Sequence, residues 1–136
     1  MSWETINPGD EVPPLRKRPN LQQLVKYAAG SGDFNPLHFD AEFPQAKQIG
    51  SVIVHGRFKY AALGELVSNW LAHRGRIKSI SCQYRGMDLP NQEILCRGSV
   101  VRKWEEGGEK LVELSIWTEN PDGKKTTPGK AIVAFR

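Results

Sequence analysis

The sequence predicts an α+β fold, in which helices precede an antiparallel sheet, on two observations about the spacing of apolar residues. Between residues 56 and 74, apolar side chains recur at helical spacing over a wide face. After Gly75 the spacing changes to two, the period of a strand with one buried face. A sheet must therefore cover one long helix, and the length of 136 residues suits a single domain over residues 1–136.

The start of the chain is predicted to contain an extended lead-in and one short helix. Four of the nine prolines lie in residues 3–19, which argues against a helix there. Asn20 can cap a helix over residues 21–29, whose apolar positions fall on one face. Gly30 and Gly32 are expected to end this helix.

The middle of the chain is predicted to hold a minor helix and the main one. Residues 41–48 allow one or two helical turns, which Pro44 limits. The main helix begins at residues 55–56, after an extended apolar run, and ends at Gly75. Its apolar side chains form two adjacent rows, Phe58, Ala62, Leu66 and Trp70, and Leu63, Val67 and Leu71.

The last part of the chain is predicted to form the sheet. Residues 106–109 and residues 120–123 have the glycine, asparagine and proline content of tight turns. Residues 131–135 are apolar on both faces, as in a strand covered by neighbours. The predicted strands are residues 80–84, 94–104, 111–118 and 131–135.

Composition favours a globular protein of the cytoplasm. Hydrophobic residues make up 39% of the chain, and no apolar stretch approaches the ~20 residues needed to span a bilayer. The first residues do not contain a basic segment followed by an apolar core, so no secretion signal is expected. Cys82 and Cys96 have neither metal-ligand nor redox spacing and are predicted to be reduced packing residues.

The net charge of +4 restricts the expected partners. Small basic groups recur along the chain, but no nucleic-acid-binding motif accompanies them, so neither nucleic acid nor a membrane is predicted as a partner. A mildly basic surface also suits an anionic ligand, such as a phosphorylated carrier or an acidic carrier protein.

The strongest chemical signal is residues 32–38, Gly-Asp-Phe-Asn-Pro-Leu-His. Pro36 has no N–H and excludes the α conformation from the residue before it, so this segment is predicted to be a stiff loop. The loop carries a carboxylate, Asp33, and an imidazole, His38, five positions apart. Two such groups can take and give protons near neutral pH, which is the requirement of general acid–base catalysis.

Residues 27–40, together with Ile-Val-His-Gly at 53–56, resemble the MaoC-type hydratase/dehydratase family. The resemblance implies the hot dog fold, a curved antiparallel sheet wrapped around one long central helix. Carried over by position, it makes Asp33 and His38 the catalytic pair. It implies that Gly56 offers its backbone N–H to the thioester carbonyl as an oxyanion hole, and that Asn35 supports the loop.

Some positions depart from the family pattern or have two interpretations. The departures are Pro44, Arg57, Gly64 and the pair Asn91-Gln92. They leave the catalytic pair intact, but Arg57 and Gly64 alter the acyl pocket and hence the choice of substrate. Arg57 and Lys59 can form surface or interface ion pairs, or can contact the substrate and its phosphates. His55 is expected to pack against the helix or to cap it.

The resemblance implies a hydro-lyase. The reaction would be the reversible hydration of a trans-2-enoyl thioester of CoA or acyl carrier protein (ACP) to the (R)-3-hydroxyacyl thioester. It needs neither metal nor redox cofactor, and CoA or acyl carrier protein takes part only as a portion of the substrate. The family also implies an oligomer, either a homodimer or a heterodimer with a related hot dog subunit.

Two other functions stay open at this point. The chain could be a non-catalytic or obligate partner subunit of a heterodimeric hydroxyacyl-thioester dehydratase, although such a subunit would have no need of both Asp33 and His38. A thioesterase of the same fold is a third alternative, ranked lower because hot dog thioesterases generally lack the Asn-Pro-Leu-His loop.

Overall fold

The computed structural model describes residues 1–136 and contains one antiparallel sheet and one long helix that packs against it. The strands are β1 (Glu11–Lys17), β2 (Gly75–Cys82), β3 (Ile94–Glu106), β4 (Glu109–Glu119) and β5 (Lys125–Phe135). The helices are α1 (Leu21–Ser31), α2 (Pro44–Ile49) and α3 (Gly56–Leu71). Short 3₁₀ turns lie at Trp3–Thr5, Pro36–His38 and Ala72–Arg74. The five strands lie in the order β1-β3-β4-β5-β2, and every neighbouring pair is antiparallel, which confirms the α+β prediction.

Strand β1 is an element that the sequence did not predict as part of the sheet. It contains Pro13 and Pro14, and its pairing with β3 shifts register between Val12 and Leu15. Proline cannot donate a ladder hydrogen bond, so it is found on edge strands and at irregularities in the pairing. β1 is an edge strand, and the extended lead-in therefore pairs along one side only.

Three helix boundaries correct the sequence predictions. α1 continues through Gly30 and ends at Gly32, whose φ of 77° is left-handed and whose N–H donates to the carbonyl of Ala28. Pro44 starts α2 instead of limiting it, because a helix's first residue needs no N–H. α3 ends at Leu71, before a 3₁₀ turn, so that Gly75 is the first residue of β2 and not a helix stop.

α3 is the centre of the core, and it contacts all five strands. Leu63, Leu66 and Val67 are at most 1% exposed on its buried face. The sheet residues that complete the core alternate along their strands, as the period of two predicted; they include Cys96, Val112, Leu114, Ile116, Ala131 and Val133. The sheet therefore encloses the long helix.

The predicted turns and the interior strand are confirmed. Gly107 and Gly108 join β3 to β4 with φ values of 57° and 77°, the left-handed conformation that tight hairpins require. Residues 120–123 form the turn before β5, which lies inside the sheet between β4 and β2. None of the helices combines the length and the apolar composition needed to cross a lipid bilayer.

Two glycines are expected to respond to alanine in opposite directions. A Cβ at Gly64, inside α3, would meet nothing within 4 Å, whereas one at Gly129 in β5 would collide with the carbonyl oxygen of Ser81. Gly64→Ala should raise the free energy of unfolding by roughly 0.5–1 kcal/mol, because alanine loses less backbone entropy in a helix. Gly129→Ala should lower it by about 1–3 kcal/mol through overpacking. Urea unfolding of both variants checks this, and a stabilised Gly129→Ala protein would contradict the packing described.

Candidate active site

The loop over residues 32–38 is held in place by its own polar groups. Gly32 ends α1, and Pro36 starts the 3₁₀ turn that carries His38. The Asn35 side-chain oxygen accepts a hydrogen bond from the Leu37 N–H at 3.1 Å and caps this turn. Asn35 therefore makes the contacts that a loop-supporting residue would make.

Asp33 and His38 face each other across a short gap. His38 is 8% exposed, and its Nδ1 lies 2.9 Å from the carbonyl oxygen of Ile53. A carbonyl only accepts, so Nδ1 carries the proton and the Nε2 of a neutral ring is an acceptor. Nε2 lies 3.7 Å from Oδ2 of Asp33, beyond direct hydrogen-bond reach. One water or hydroxyl oxygen can lie within hydrogen-bond distance of both atoms, and the two acceptors would share it.

His55 supports both members of this pair. Its fully buried ring stacks on His38, with centroids 3.9 Å apart and planes 19° apart, and meets Tyr27 edge-on. Its Nε2–H donates to the backbone oxygen of Asp33 at 3.3 Å, which leaves Nδ1 buried without a partner. Burial lowers the pKa of His55, and a positive charge on His38 lowers it further. His55 thus packs as a neutral ring; it makes no side-chain capping bond.

The N-terminus of α3 opens beside His38. The first three N–H groups of a helix have no acceptor within it, and those of Gly56, Arg57 and Phe58 make no other backbone bond. His38 and Gly56 border the same cavity, of about 340 Å³. A Cβ on Gly56 would lie 3.1 Å from the ring of Tyr84, so this ring lies close over the helix start. The positive end of the helix therefore faces a space next to Asp33 and His38.

Arg57 and Lys59 occupy different environments. Arg57 is exposed and has neither an ion pair nor a side-chain hydrogen bond in the protein. Lys59 is 2% exposed; its Nζ donates to Asp88 Oδ2 at 3.0 Å and to the carbonyl of Gly86 at 2.9 Å. Lys59 therefore forms a buried ion pair and not a surface one, Arg57 forms no ion pair within this chain, and an interface ion pair stays a prediction. Lys59 borders the cavity, and substrate contact by either residue stays a prediction.

The segment over residues 83–88 is the part of the site that the sequence did not reveal. It places Tyr84 over Gly56 and Asp88 beside Lys59. Tyr84 was predicted to end a strand, which stops at Cys82 in the structure, and Asp88 had no predicted role. One signal was available in the pattern. Lys59 lies four and seven positions before Leu63 and Leu66, on the buried face of α3, and a lysine there requires a buried acceptor.

Asp33, His38 and His55 also form the one set of side chains whose spacing would allow a metal ion, with ligand atoms within 4.8 Å of one another. One nitrogen of each ring is already committed, His38 Nδ1 to Ile53 and His55 Nε2 to the backbone of Asp33. Because the rings are stacked, their remaining lone pairs run side by side and do not converge on one point. The arrangement fits proton transfer better than metal coordination.

Residues 6–120 match the model of the MaoC like domain. The chain belongs to this family. A solved (R)-hydratase from A. caviae, involved in PHA biosynthesis, superposes with a TM-score of 0.88 at 22% identity, covering 98% of this chain and 99% of that one. The likeness confirms the predicted hot dog fold.

Other proteins similar to this MaoC-like chain include two relatives matched over part of their length and one solved structure matched over nearly all of it. The fatty acid synthase subunit beta of Saccharomyces cerevisiae is 32% identical over 107 residues, 77% of this chain and 5% of that protein. An (R)-specific enoyl-CoA hydratase of Aeromonas caviae is 32% identical over 77 residues, 57% of each chain. A chain of the HadBC (3R-hydroxyacyl-ACP dehydratase) complex from Mycobacterium tuberculosis superposes with a TM-score of 0.74 at 14% identity, covering 93% of this chain and 96% of that one. This chain thus spans a small part of the first relative and just over half of the second.

Replacing the buried His55 should weaken the pH dependence of stability. Its pKa in the folded protein lies below the unfolded value of about 6.5, so the unfolded chain binds more protons as the pH falls. The stabilisation that His55 provides is therefore complete above that value and is lost as the pH falls towards the folded pKa. His55→Phe keeps a ring in the stack but cannot titrate.

Urea unfolding at pH 7.5 and 5.5 measures this effect. The wild-type protein should lose more free energy of unfolding between the two pH values than His55→Phe. His73→Gln, which changes an exposed histidine after α3, should retain the wild-type difference. Equal pH dependence in the wild type and His55→Phe would show that His55 is not held neutral by the fold.

Proposed function

We propose that this MaoC-like chain is a hydro-lyase that reversibly hydrates a trans-2-enoyl thioester to an (R)-3-hydroxyacyl thioester. One observation carries the proposal. Two proton acceptors, Asp33 Oδ2 and His38 Nε2, lie 3.7 Å apart, and His38 borders the same cavity as Gly56, the first residue of α3, where the helix has unpaired N–H groups. Hydration needs a held water, a proton acceptor and stabilisation of negative charge on the thioester oxygen. These residues can supply all three.

In the proposed reaction, the proton on His38 Nδ1 leaves Nε2 free to accept a hydrogen bond from water. Water donates hydrogen bonds to Asp33 and to Nε2 of His38, and its oxygen adds to C3 of the enoyl group as one of the pair takes a proton. The electron pair of the C2–C3 double bond moves towards the thioester oxygen, where the Gly56 N–H and the helix dipole stabilise the charge. A proton from the pair then reaches C2. The two groups titrate together, so acid and base roles belong to the pair.

The proposed product, carrier and cofactor requirement rest on chemistry and on the relatives. The (R) configuration is proposed from the similarity to the hydratase of A. caviae. Addition of water places a hydroxyl group on C3 and a proton on C2 without net oxidation or reduction, and Asp33 and His38 move the protons, so we propose that the reaction uses no metal and no redox cofactor. A net charge of +4 suits CoA or acyl carrier protein as the carrier part of the substrate. We propose the cytoplasm as the location.

We further propose that the working unit is a dimer of this chain. Phe34, Tyr84 and Met87 are between 53% and 60% exposed, and the last two border the cavity. Large apolar side chains around a site's mouth are typical of a surface that a partner covers. The similarity to a chain of a two-part dehydratase complex favours a second candidate, in which a related hot dog subunit takes the partner's place.

The catalytic pair is tested by removing each functional group. Asp33→Asn keeps the size of the side chain and removes its charge, and His38→Ala removes the imidazole. Each should reduce turnover of trans-2-butenoyl-CoA by roughly 10²–10⁴-fold without unfolding the protein. The matched controls, Asp122→Asn in a turn and His73→Ala after α3, should retain wild-type activity.

The assay follows the loss of the conjugated enoyl absorbance, the release of free thiol and the configuration of the product, on protein whose mass is measured by light scattering. Loss of absorbance without free thiol, with an (R) product, supports the proposal. Free thiol would indicate a thioesterase. An inactive chain that is activated only by a related subunit would indicate the heterodimer. Near-normal activity of either pair variant would refute the assignment of Asp33 and His38.

The oxyanion role of Gly56 is tested by proline. Gly56 is the first residue of α3, where proline is tolerated, and the ψ of His55 is 136°, a value that suits a residue before proline. Gly56→Pro removes the N–H and should cost about 10²–10³ in turnover. Gly56→Ala is the control: it keeps the N–H and adds a methyl group close to the exposed Tyr84 ring, so it should cost less. A folded proline variant as fast as the alanine variant would place the donor elsewhere.

A further inference from the structure

Lys59 borders the cavity next to the catalytic pair and forms an ion pair with Asp88 that the proposed reaction does not use. Lys59 and Asp88 have side chains that are each 2% exposed, and their charged atoms lie 3.0 Å apart. Thr126 donates a hydrogen bond to Asp88 Oδ2 at 2.6 Å, and its hydroxyl also lies 2.9 Å from that of Thr118. Lysine and aspartate are among the residues least often buried, and a buried ion pair is not by itself a stabilising device. Its position therefore calls for an explanation.

The hydrogen-bonding capacity of the pair is only partly used. An ammonium group has three N–H donors, and Lys59 uses two of them, on Asp88 and on the carbonyl of Gly86. Asp88 Oδ1 is buried and has no partner. Burying a polar group without a hydrogen-bond partner is unfavourable. A ligand that offers an acceptor to Lys59 should therefore bind more tightly than one that places a methylene group there.

The pair lies where the acyl group must go. Lys59 is three residues beyond Gly56 on α3, so it lies about one helical turn deeper on the same side of the helix. The residues that line the cavity differ in exposure. Tyr84, Arg85 and Met87 are exposed, whereas Val54 and Lys59 are at most 2% exposed. A bulky carrier can stay only at the exposed mouth. The buried wall that includes Lys59 therefore faces the acyl end of a thioester whose carbonyl lies at Gly56.

We propose that Lys59, neutralised by Asp88, makes this site select short acyl groups that carry an uncharged hydrogen-bond acceptor, a hydroxyl or carbonyl oxygen, beyond C3. This inference rests on the proposed hydratase function and names the substrate class of that same site. Asp88 cancels the charge of Lys59, so a neutral oxygen is favoured over a carboxylate. A long hydrocarbon tail would press against the ammonium and leave its third N–H without a partner.

The test compares trans-2-hexenoyl-CoA with its 4-, 5- and 6-hydroxy derivatives, and includes trans-2-octenoyl-CoA as the long-tail substrate. For the wild-type protein, kcat/KM for the best hydroxylated substrate should exceed that for plain hexenoyl-CoA by at least about tenfold, the effect of one hydrogen bond to a charged donor. Octenoyl-CoA should be the poorest substrate. A ratio near one for all three hydroxylated substrates would overturn the inference.

The double variant Lys59→Met/Asp88→Asn assigns the preference to the pair. It removes both charges at similar volume, so no buried charge is left without its partner. Its ratio of hydroxylated to plain substrate should fall to about one, and its relative activity on octenoyl-CoA should rise. If the pair were only structural, all substrates would lose activity in proportion and the ratio would stay at the wild-type value. The matched control, Lys47→Met/Glu42→Gln, changes an exposed pair between Lys47 on α2 and Glu42 just before it, and should keep the wild-type ratio.

The outcomes separate this inference from the proposed function. A wild-type protein that hydrates no 2-enoyl thioester would remove both. A protein that hydrates butenoyl-CoA in an Asp33-dependent manner, but shows no preference for the hydroxylated substrates, would overturn the inference alone. The wild-type ratio requires no variant, so the inference can be refuted even if the double variant does not fold.

Discussion

The candidate site depends on two hydrogen bonds between the loop over residues 32–38 and Ile53, the residue that leads into α3. The Ile53 N–H donates to the carbonyl of Leu37 at 3.1 Å, and His38 Nδ1–H donates to the carbonyl of Ile53 at 2.9 Å. The first bond fixes where the loop lies, and the second fixes the tautomer of His38. Without the second bond, Nε2 could carry the proton, and the pair would no longer offer two acceptors to one water.

The extended segment that contains Ile53 and Val54 also binds the segment over residues 83–88. The Val54 N–H donates to the backbone carbonyl of Asp88 at 2.8 Å, one residue along the chain from Ile53. The residues around positions 37, 53 and 88 are far apart in sequence, yet backbone bonds hold them together at the start of α3. Two of the three buried polar atoms without partners, His55 Nδ1 and Asp88 Oδ1, lie here. Unsatisfied polar groups cost stability, and their concentration at one place is typical of a site selected for chemistry.

Features of this site that depend on interactions between residues close in sequence could be predicted, whereas contacts between residues distant in sequence could not. The stiff loop was predictable because Pro36 and the Asn35 cap act within a few residues. The alternating strands and the wide apolar face of α3 were predictable because periodicity reports burial directly. Strand β1 was missed because its prolines hide an edge pairing, and Asp88 was missed because its partner is 29 positions away. His55 was predicted to pack or cap, but its stacking on His38 is a tertiary contact that no local pattern encodes.

Among the buried groups at the N-terminus of α3, the positive potential comes from backbone dipoles and not from side chains, whereas the unpaired charge of Arg57 is exposed to solvent. His55 is held neutral by burial, and the charge of Lys59 is cancelled by Asp88. In the proposed reaction, an uncompensated ammonium in the same cavity would also stabilise a negative thioester oxygen, but it would oppose the imidazolium form of His38, one of the two groups that can take the proton. The unpaired N–H groups of the helix act at short range on the oxygen and carry only a partial charge. In the proposed reaction, the fold can therefore favour the oxyanion without opposing the uptake of a proton by the pair beside it, which gives a reason for a buried aspartate next to the buried lysine.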